Sequence, residues 1–384
     1  MKLLYLTVGM LMLSLFSSAQ TDSITVSGTI AGLANQKVNI SFADNAGKNQ
    51  YKSVAGVDNK FSVRLPVQNA PAPARLTVAL PENSAANSMM IPPLNFFIWN
   101  KNLQIKGNAA LVNVAVVQGD AENDLYNVLI QQGAKSEIRY RELLSTAFDK
   151  NIKRTPEDST KLHQELKKLS LSGYFREKEF VKNNPKSFAS VFLLNRLGSF
   201  YTADDYLKAW NTLAPTYKNT AEAESIKKTL EKLAPTMAGI PVFAFERIDK
   251  NGNKVSPELL KGRTYLLDFW GSWCGPCRAS HPHLKSLYSK YKDQGFEIVA
   301  IAQERGKTLD DCKATWLKAI QEDQINWVHL LNQDGIAQQN LVSTFHVNAF
   351  PTKILIGADG KIILRISASA TDDIDQALER IYGF

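Results

Sequence analysis

The chain has 384 residues, which is enough for two to three domains with more than one buried core. Hydrophobic residues make up 44% and charged residues 21%, values that exclude a collagen-like, a wholly disordered or a small disulfide-stapled protein. The net charge of +8 is spread along the chain and does not indicate nucleic acid as a partner. The chain has 3 cysteines, which cannot form a disulfide framework, so its cores must hold the fold together.

The amino terminus has the pattern of an export signal. Lys2 supplies a positive charge, residues 3–16 are almost wholly apolar, and Ser17-Ser18-Ala19 supplies small residues, so we predict cleavage after Ala19. The alternative is a retained membrane anchor, which needs about 20 apolar residues, and polar residues arrive too early for that. We therefore expect a soluble protein in the periplasm or otherwise outside the cytoplasm, where disulfides persist.

Short stretches of alternating apolar and polar residues, separated by Gly, Pro and Asn clusters, run from residue 20 to residue 118. This pattern predicts a small domain resembling a β-sandwich. The aromatic residues Phe96, Phe97 and Trp99 favour core or edge packing, with a binding face as the alternative. The predicted strands are residues 24–30, 37–42, 59–65, 75–80, 95–98 and 102–105.

Residues 119–235 change to a helical period. Thr155-Pro156-Glu157-Asp158 indicates a helix start, with a capping residue, Pro at the first helical position and acids in the first turn. No chemistry is recognisable here, so we expect a structural or docking role, which includes a homodimer formed through the amino-terminal half. The other predicted helices are residues 187–197, 204–213 and 221–233.

The stretch Ala234 to Pro241 is typical of a linker, and strands alternate with helices after it. This alternation predicts an α/β domain over residues 236–384. Its predicted strands are residues 243–249, 264–270, 296–302, 327–331, 352–356 and 361–366. Its predicted helices begin after Cys277 and at residues 309–324, 336–345 and 372–382.

Two cysteines, Cys274 and Cys277, lie two residues apart where a buried strand leads into a helix. A helix amino terminus carries unpaired N–H groups and favours an anion, so Cys274 is expected to form a thiolate readily. Cys277 lies one helical turn further on and would attack the mixed disulfide that Cys274 forms with a partner. Pro276 suits the first helical turn, because its missing N–H costs nothing there.

Three other interpretations of the cysteine pair stay open. Zinc would need His281 and His283 as further ligands, but they flank Pro282 and should diverge. A covalent haem requires His directly after the second cysteine, where Arg278 stands. An inert structural disulfide would contribute little, because the ring between the cysteines is so short.

The segment from Asp268 to Cys277, followed much later by Phe350-Pro351-Thr352, resembles the thioredoxin fold. The strand hairpin that opens the domain, Pro282 and an inserted element near residues 309–324 are similar to the extracytoplasmic TlpA/ResA branch. The resemblance covers residues 239–384. The amino-terminal half also looks like that of many envelope proteins of this architecture, which have no assigned activity there.

The resemblance implies roles for the residues of the motif. Cys274 would be the attacking thiol and Cys277 the resolving thiol. Asp268 matches a buried acid beneath the second thiol, which would take the Cys277 proton through a water. Trp270 and Trp273 would shape the surface beside the thiol. The expected substrate-binding residues are Trp273, Gly275, Pro276, Phe350 and Pro351; Pro351 would follow a cis peptide bond that turns the Phe350 backbone toward an extended client.

Two departures from the family pattern stand out. Many ResA-like proteins carry Glu three residues after the second cysteine, where this chain has Ser280, so the acid–base role is expected of Asp268 alone and specificity for apocytochrome c is in doubt. The strand over residues 298–303 has no Lys to pair with that acid. Cys312, on the inserted element, is either a structural thiol or a regulatory one.

The sequence therefore predicts an enzyme, a thiol–disulfide oxidoreductase that mainly reduces protein disulfides. Its expected partners are protein clients and a membrane thiol donor, with no cofactor beyond the redox-active Cys274–Cys277 pair. A disulfide oxidase or isomerase is the alternative direction. A peroxiredoxin-type peroxidase would need Thr where Gly271 stands, and a non-enzymatic binding module would not need Cys274.

Overall fold

The computed structural model describes residues 22–79, 91–148, 152–367 and 373–384. The predicted export signal and its cleavage point after Ala19 lie outside the described residues. Within the described ranges, no helix combines the length and the apolar character needed to cross a membrane.

The amino-terminal strands form two sheets, ordered β4-β1-β7-β8 and β3-β2-β5-β6. Alternate side chains of both sheets, such as Val26 and Ile40, share one hydrophobic core. The sequence did not predict β3 and β8: β3 is polar and largely exposed, and β8 is only 3 residues long. The strands are β1 (Ser23–Ala31), β2 (Lys37–Ala43), β3 (Asn49–Ala55), β4 (Lys60–Pro66), β5 (Ala72–Val78), β6 (Leu94–Ile98), β7 (Leu103–Asn108) and β8 (Val116–Gln118).

The middle of the chain is helical, as predicted. A reciprocal pair of hydrogen bonds between Thr155 and Asp158 caps α2 at the predicted start. Phe97 packs edge-on against Phe188 of α3, and Phe96 is fully buried, which agrees with the core interpretation; Trp99 is 38% exposed. The helices are α1 (Ala121–Phe148), α2 (Pro156–Asn183), α3 (Phe188–Arg196), α4 (Ala203–Thr212) and α5 (Ala221–Leu233).

The carboxy-terminal domain is built on a sheet of order β13-β12-β11-β14-β15. β11 lies at its centre, parallel to β12 and antiparallel to β14. The strands are β9 (Arg247–Ile248), β10 (Lys254–Val255), β11 (Tyr265–Trp270), β12 (Glu297–Ala302), β13 (Val328–Leu331), β14 (Thr352–Ile356) and β15 (Ile362–Ile366). The helices are α6 (Gly275–Tyr291), α7 (Leu309–Asp323), α8 (Leu341–Thr344) and α9 (Asp373–Tyr382).

Two predicted elements of this domain are shorter in the structure. The strand predicted over residues 243–249 is reduced to β9, which pairs with β10 in a small hairpin. The helix predicted over residues 336–345 is reduced to α8, because Gly335 adopts φ +97 and the Asn340 side chain caps a helix that begins only at Leu341.

Edge strand β15 is contacted by the start of α4 and by the predicted linker. Thr202, at the start of α4, forms a bridge with Ile366, and Gly239 N–H donates to the Ile362 carbonyl. The Arg365 guanidinium is buried and donates to Thr236 Oγ1 at 3.0 Å. The helical segment therefore packs on the sheet that carries the cysteine pair.

Candidate redox site

The cysteine pair lies where β11 leads into α6, as the sequence predicts. Cys274 is the residue that caps α6, and its Sγ accepts a hydrogen bond from the Cys277 N–H at 3.2 Å. The two sulfurs are joined in a disulfide. Cys274 is 4% exposed and Cys277 is 1% exposed, so Cys277 is the deeper of the two. An N–H aimed at Cys274 Sγ would stabilise negative charge on that sulfur once the pair is reduced.

The loop before Cys274 is held by the residues that follow β12. The Glu304 carboxylate is buried and accepts hydrogen bonds from the Ser272 N–H at 2.8 Å and from the Ser272 hydroxyl at 2.5 Å. It also accepts one from Thr315 Oγ1 of α7 at 2.9 Å. Sequence reasoning missed Glu304, because nothing in the sequence around it shows that it meets Ser272.

Of the predicted substrate-binding residues, Trp273, Gly275 and Pro276 are exposed, Phe350 is partly exposed and Pro351 is buried. Trp273 is 37% exposed, its Nε1 donates to the Gln303 carbonyl at 2.8 Å, and its ring lies edge-on to Phe350 at 5.5 Å. The peptide bond between Phe350 and Pro351 is cis. Gly275 and Pro276 are exposed at the start of α6.

The structure places Trp270 differently from the prediction. This side chain is fully buried and packs edge-on against His281 at 4.9 Å between ring centroids. Side chains alternate along β11, so Trp270 faces the core beneath α6 rather than the surface. Of these two tryptophans, Trp273 alone lies at the surface.

Asp268 is buried, and a lysine that sequence reasoning missed lies beside it. Lys353 is opposite Asp268 in the pairing of β11 with β14, and its Nζ lies 3.5 Å from Asp268 Oδ1. Both side chains are almost fully buried, at 1% and 3% exposure. Residues 298–303 on the β12 side contain no lysine, and the cation comes instead from β14, the other neighbouring strand.

Ser280 connects this ion pair to the cysteine turn. Lys353 Nζ donates to Ser280 Oγ at 3.3 Å, and Ser280 Oγ donates to the Cys277 carbonyl at 2.7 Å. The position where many ResA-like proteins have Glu thus holds a hydroxyl that links Lys353 to the first turn of α6.

The two histidines of α6 point to different carboxylates. His281 is buried, and its Nδ1 lies 2.7 Å from the Asp323 carboxylate, whereas the more exposed His283 contacts Asp375 at 2.8 Å. Burial lowers the pKa of His281 from its ordinary value, so the ring is neutral at pH 7. Across the described ranges, no group of three or more His, Cys, Asp or Glu side chains is placed to hold a metal ion.

Cys312 is a free thiol on α7 and is 2% exposed. Its Sγ lies against Gly306, where an added Cβ would come within 2.9 Å of the sulfur. A buried thiol in close packing fits the structural interpretation, because a regulatory thiol must be reachable by a reagent or partner.

A family model described as thioredoxin-like matches residues 262–362. This stretch contains β11, the cysteine pair and the cis peptide bond, in the order that the fold requires. The carboxy-terminal region is a thioredoxin-like domain. The matched stretch does not extend into the amino-terminal half.

Two curated relatives that match part of this chain have the same name. The thiol-disulfide oxidoreductase ResA of Bacillus anthracis is 31% identical over 132 residues, which are 33% of this chain and 66% of that protein. ResA of Bacillus subtilis is 28% identical over 134 residues, which are 35% of this chain and 68% of that protein. The chain thus spans about two thirds of the length of these relatives, slightly less for the first. They confirm the predicted ResA/TlpA resemblance and support the prediction of an oxidoreductase enzyme.

Solved structures also match the thioredoxin-like domain. The thioredoxin domain of a thiol-disulfide oxidoreductase from Bacteroides vulgatus is 31% identical, with a TM-score of 0.33, and the match covers 38% of this chain and 96% of that one. A protein from Chlorobium tepidum, described as a putative thiol:disulfide interchange protein DsbE, is 27% identical with the same TM-score and the same coverage.

Proposed function

We propose that this protein is an extracytoplasmic thiol–disulfide oxidoreductase that reduces protein disulfides through Cys274 and Cys277. The observation that carries the proposal is the disulfide at the amino terminus of α6, with the Cys277 N–H directed at Cys274 Sγ. A helix terminus that holds a sulfur in this way favours the thiolate, which is the nucleophile of disulfide exchange.

The proposed reaction transfers two electrons to a client disulfide. The Cys274 thiolate attacks one client sulfur, and the client S–S bond breaks. The other client sulfur is released as a thiolate, while the attacked sulfur joins the client to Cys274 in a mixed disulfide. Cys277 then loses its proton and attacks Cys274 Sγ, which releases the second client thiolate. The client disulfide has gained two electrons, and the enzyme is left with the Cys274–Cys277 disulfide.

Asp268 is proposed to take the Cys277 proton through a water. Asp268 and Trp270 share the face of β11 that packs under α6, so the carboxylate lies on the side of the resolving cysteine. In the described part of the chain, Asp268 Oδ1 has no hydrogen-bond partner, and Lys353 lies 3.5 Å away as its counter-ion. Lys353 is proposed to hold this carboxylate in position as its counter-ion, so that it can act as a base.

The proposed direction requires a source of electrons. A dithiol donor in the membrane would return the enzyme to its reduced form by the same exchange chemistry. Clients are proposed to dock along the Phe350 backbone and the exposed face of Trp273. The amino-terminal half, proposed as a β-sandwich over residues 20–118 and a helical segment over 119–235, would position the redox domain, including by homodimer formation.

The equilibrium reduction potential of the Cys274–Cys277 pair tests the direction. We expect a value near that of thioredoxin, about −270 mV, when the protein is equilibrated with dithiothreitol or glutathione and its thiols are trapped. A value above about −180 mV would instead identify an oxidase or isomerase.

Single-cysteine variants test the chemistry itself. Cys277→Ser should accumulate a mixed disulfide between Cys274 and a client, whereas Cys274→Ser should trap none. A Cys312→Ser variant is the matched control and should exchange disulfides at the rate of the parent protein. Equal activity in Cys274→Ser and the parent would point to a binding module and exclude the proposed reaction.

A further inference from the structure

The surface beside Cys274 carries a cation that the proposed reaction does not use. The guanidinium carbon of Arg305 lies 3.4 Å from the centroid of the Trp273 ring. Arg305 is exposed and follows β12 directly after Gln303 and Glu304, the two residues that hold Trp273 and Ser272 in place. The Trp273 ring, next to Cys274 in the chain, therefore holds the Arg305 guanidinium in position.

Arg305 has no counter-ion among the described residues. Across the ranges that the structure describes, its guanidinium has neither a carboxylate nor a hydrogen-bond partner. Glu304, its neighbour, is buried and engaged with Ser272 and Thr315. Arg278 of α6, by contrast, is paired with Asp323 and Glu322. Arg305 thus keeps its five donors for an external acceptor.

The stacking prepares Arg305 for recognition. A mobile arginine side chain loses conformational entropy when it binds a ligand. A guanidinium already stacked on an aromatic ring loses less of it. Its planar donors match the two oxygens of a carboxylate. A client that lies along Phe350 and crosses Trp273 would bring a residue beside its own cysteine to the guanidinium, since Trp273 and Phe350 are in contact.

We propose that Arg305 selects clients with an acidic side chain next to the cysteine that Cys274 attacks. The substrate class is therefore a protein disulfide flanked by Asp or Glu. This inference rests on the proposed disulfide exchange and adds a specificity residue to it. Lys307, also exposed and two residues further on, adds positive charge to the same loop.

The test uses the full chain in its reduced form and three peptide disulfides that differ at one position. The residue beside the attacked cysteine is Glu, Gln or Lys, and the rate of peptide thiol release is followed in a single turnover, so no electron donor is needed. We expect the Glu peptide to react about tenfold faster than the Lys peptide at low ionic strength, and the difference to shrink in high salt.

Variants at Arg305 separate recognition from other effects. Arg305→Gln should remove the preference by slowing the Glu peptide while sparing the Lys peptide, Arg305→Glu should reverse it, and Arg305→Lys should keep part of it. Arg263→Gln is the matched control, because this exposed cation precedes β11 at the opposite end of the strand from Cys274 and should leave the preference unchanged.

Each other outcome overturns the inference. Equal slowing of all three peptides by Arg305→Gln would show that Arg305 acts on the Cys274 thiolate rather than on the client. Equal rates for the three peptides with the parent protein would show that the charge is not read, while the proposed function would survive. Failure of the reduced parent protein to open any peptide disulfide would contradict the proposed function and the inference together.

Discussion

The buried ion pair of Asp268 and Lys353 joins two charges that are each costly to bury alone. Removing one partner leaves the other unpaired in the core, which typically costs about 3–5 kcal/mol, whereas replacing both with apolar residues is often neutral. Replacing one of the two residues should therefore destabilise the domain much more than replacing both.

Lys353→Met is predicted to lower the free energy of unfolding by about 3 kcal/mol, because Asp268 loses its counter-ion. Adding Asp268→Leu should recover most of this loss. Urea unfolding of the oxidised protein, followed by tryptophan fluorescence, measures both variants and their combination. Additive losses in the double variant would show that the two side chains do not interact.

The buried side chain of His329 makes the stability of the fold depend on pH. Its side chain is fully buried, and burial lowers its pKa from 6.5 to about 3. Below pH 6.5 the unfolded chain binds a proton at this residue and the folded chain does not, so stability falls as the pH falls. Between pH 6.5 and pH 5 we expect a loss of about 2 kcal/mol from His329.

The His329→Gln variant should flatten this pH dependence, and His163→Gln, at an exposed histidine, should not. Urea unfolding at pH values from 7.5 to 5 provides the comparison. A slope in His329→Gln that equals that of the parent would assign the acid sensitivity to other groups, of which His281 is the first to examine, since burial also lowers its pKa.

At the scale of elements, the end of β12 and the loop after β11 determine where Cys274 lies. Gly271 lies in this loop, beside the end of β12. A Cβ added to it would come within 2.6 Å of Trp273 Nε1 and 2.7 Å of the Gln303 carbonyl. The Gln303 carbonyl belongs to the backbone and cannot move aside as a side chain can. Even a methyl group at residue 271 must therefore displace the Trp273 ring.

Gly271→Ala is predicted to destabilise the oxidised protein by about 1–3 kcal/mol and to slow the attack by Cys274. Gly275→Ala is the matched control for stability, because an added Cβ there meets nothing within 4 Å. Urea unfolding and single-turnover reduction of a peptide disulfide measure the two effects. Unchanged stability in Gly271→Ala would mean that the loop moves without cost.

The elements also show what the sequence can and cannot predict. The cysteine pair at a strand-to-helix junction and the cap at Thr155 depend on residues adjacent in sequence, and both were predicted correctly. Lys353 was missed because its partner Asp268 lies on another strand, and only the register of β11 against β14 brings them together. Strand β3 was missed because an edge strand exposed to solvent lacks the apolar alternation that marks a buried one.

At the scale of the whole molecule, Arg365 ties the predicted linker to the redox sheet. Its buried guanidinium donates to Thr236 Oγ1 and to the carbonyl of His346, at 3.0 and 2.8 Å, and burial lowers its pKa to about 10. No carboxylate among the described residues pairs with this buried cation, so it depends on its hydrogen-bond acceptors, and the loss of one should be measurable.

Thr236→Val is predicted to lower the stability of the redox domain by about 1–3 kcal/mol, because it removes an acceptor while keeping the shape of the side chain. Thr212→Val is the control, since that exposed hydroxyl donates to the Ala209 carbonyl of its own helix. Thermal unfolding of the full chain compares the two. Equal effects of the two substitutions would argue that Arg365 finds another acceptor.

The pairing of Asp268 with Lys353 also bears on how the sheet is assembled. Because side chains alternate along a strand, a slip of one residue between β11 and β14 would place Asp268 and Lys353 on opposite faces. Each charge would then be enclosed among apolar side chains with no counter-ion, so the misaligned sheet is disfavoured far more strongly than apolar residues alone would disfavour it. The ion pair between Asp268 and Lys353 therefore favours the native register of β11 against β14 while the sheet forms, before any disulfide is exchanged.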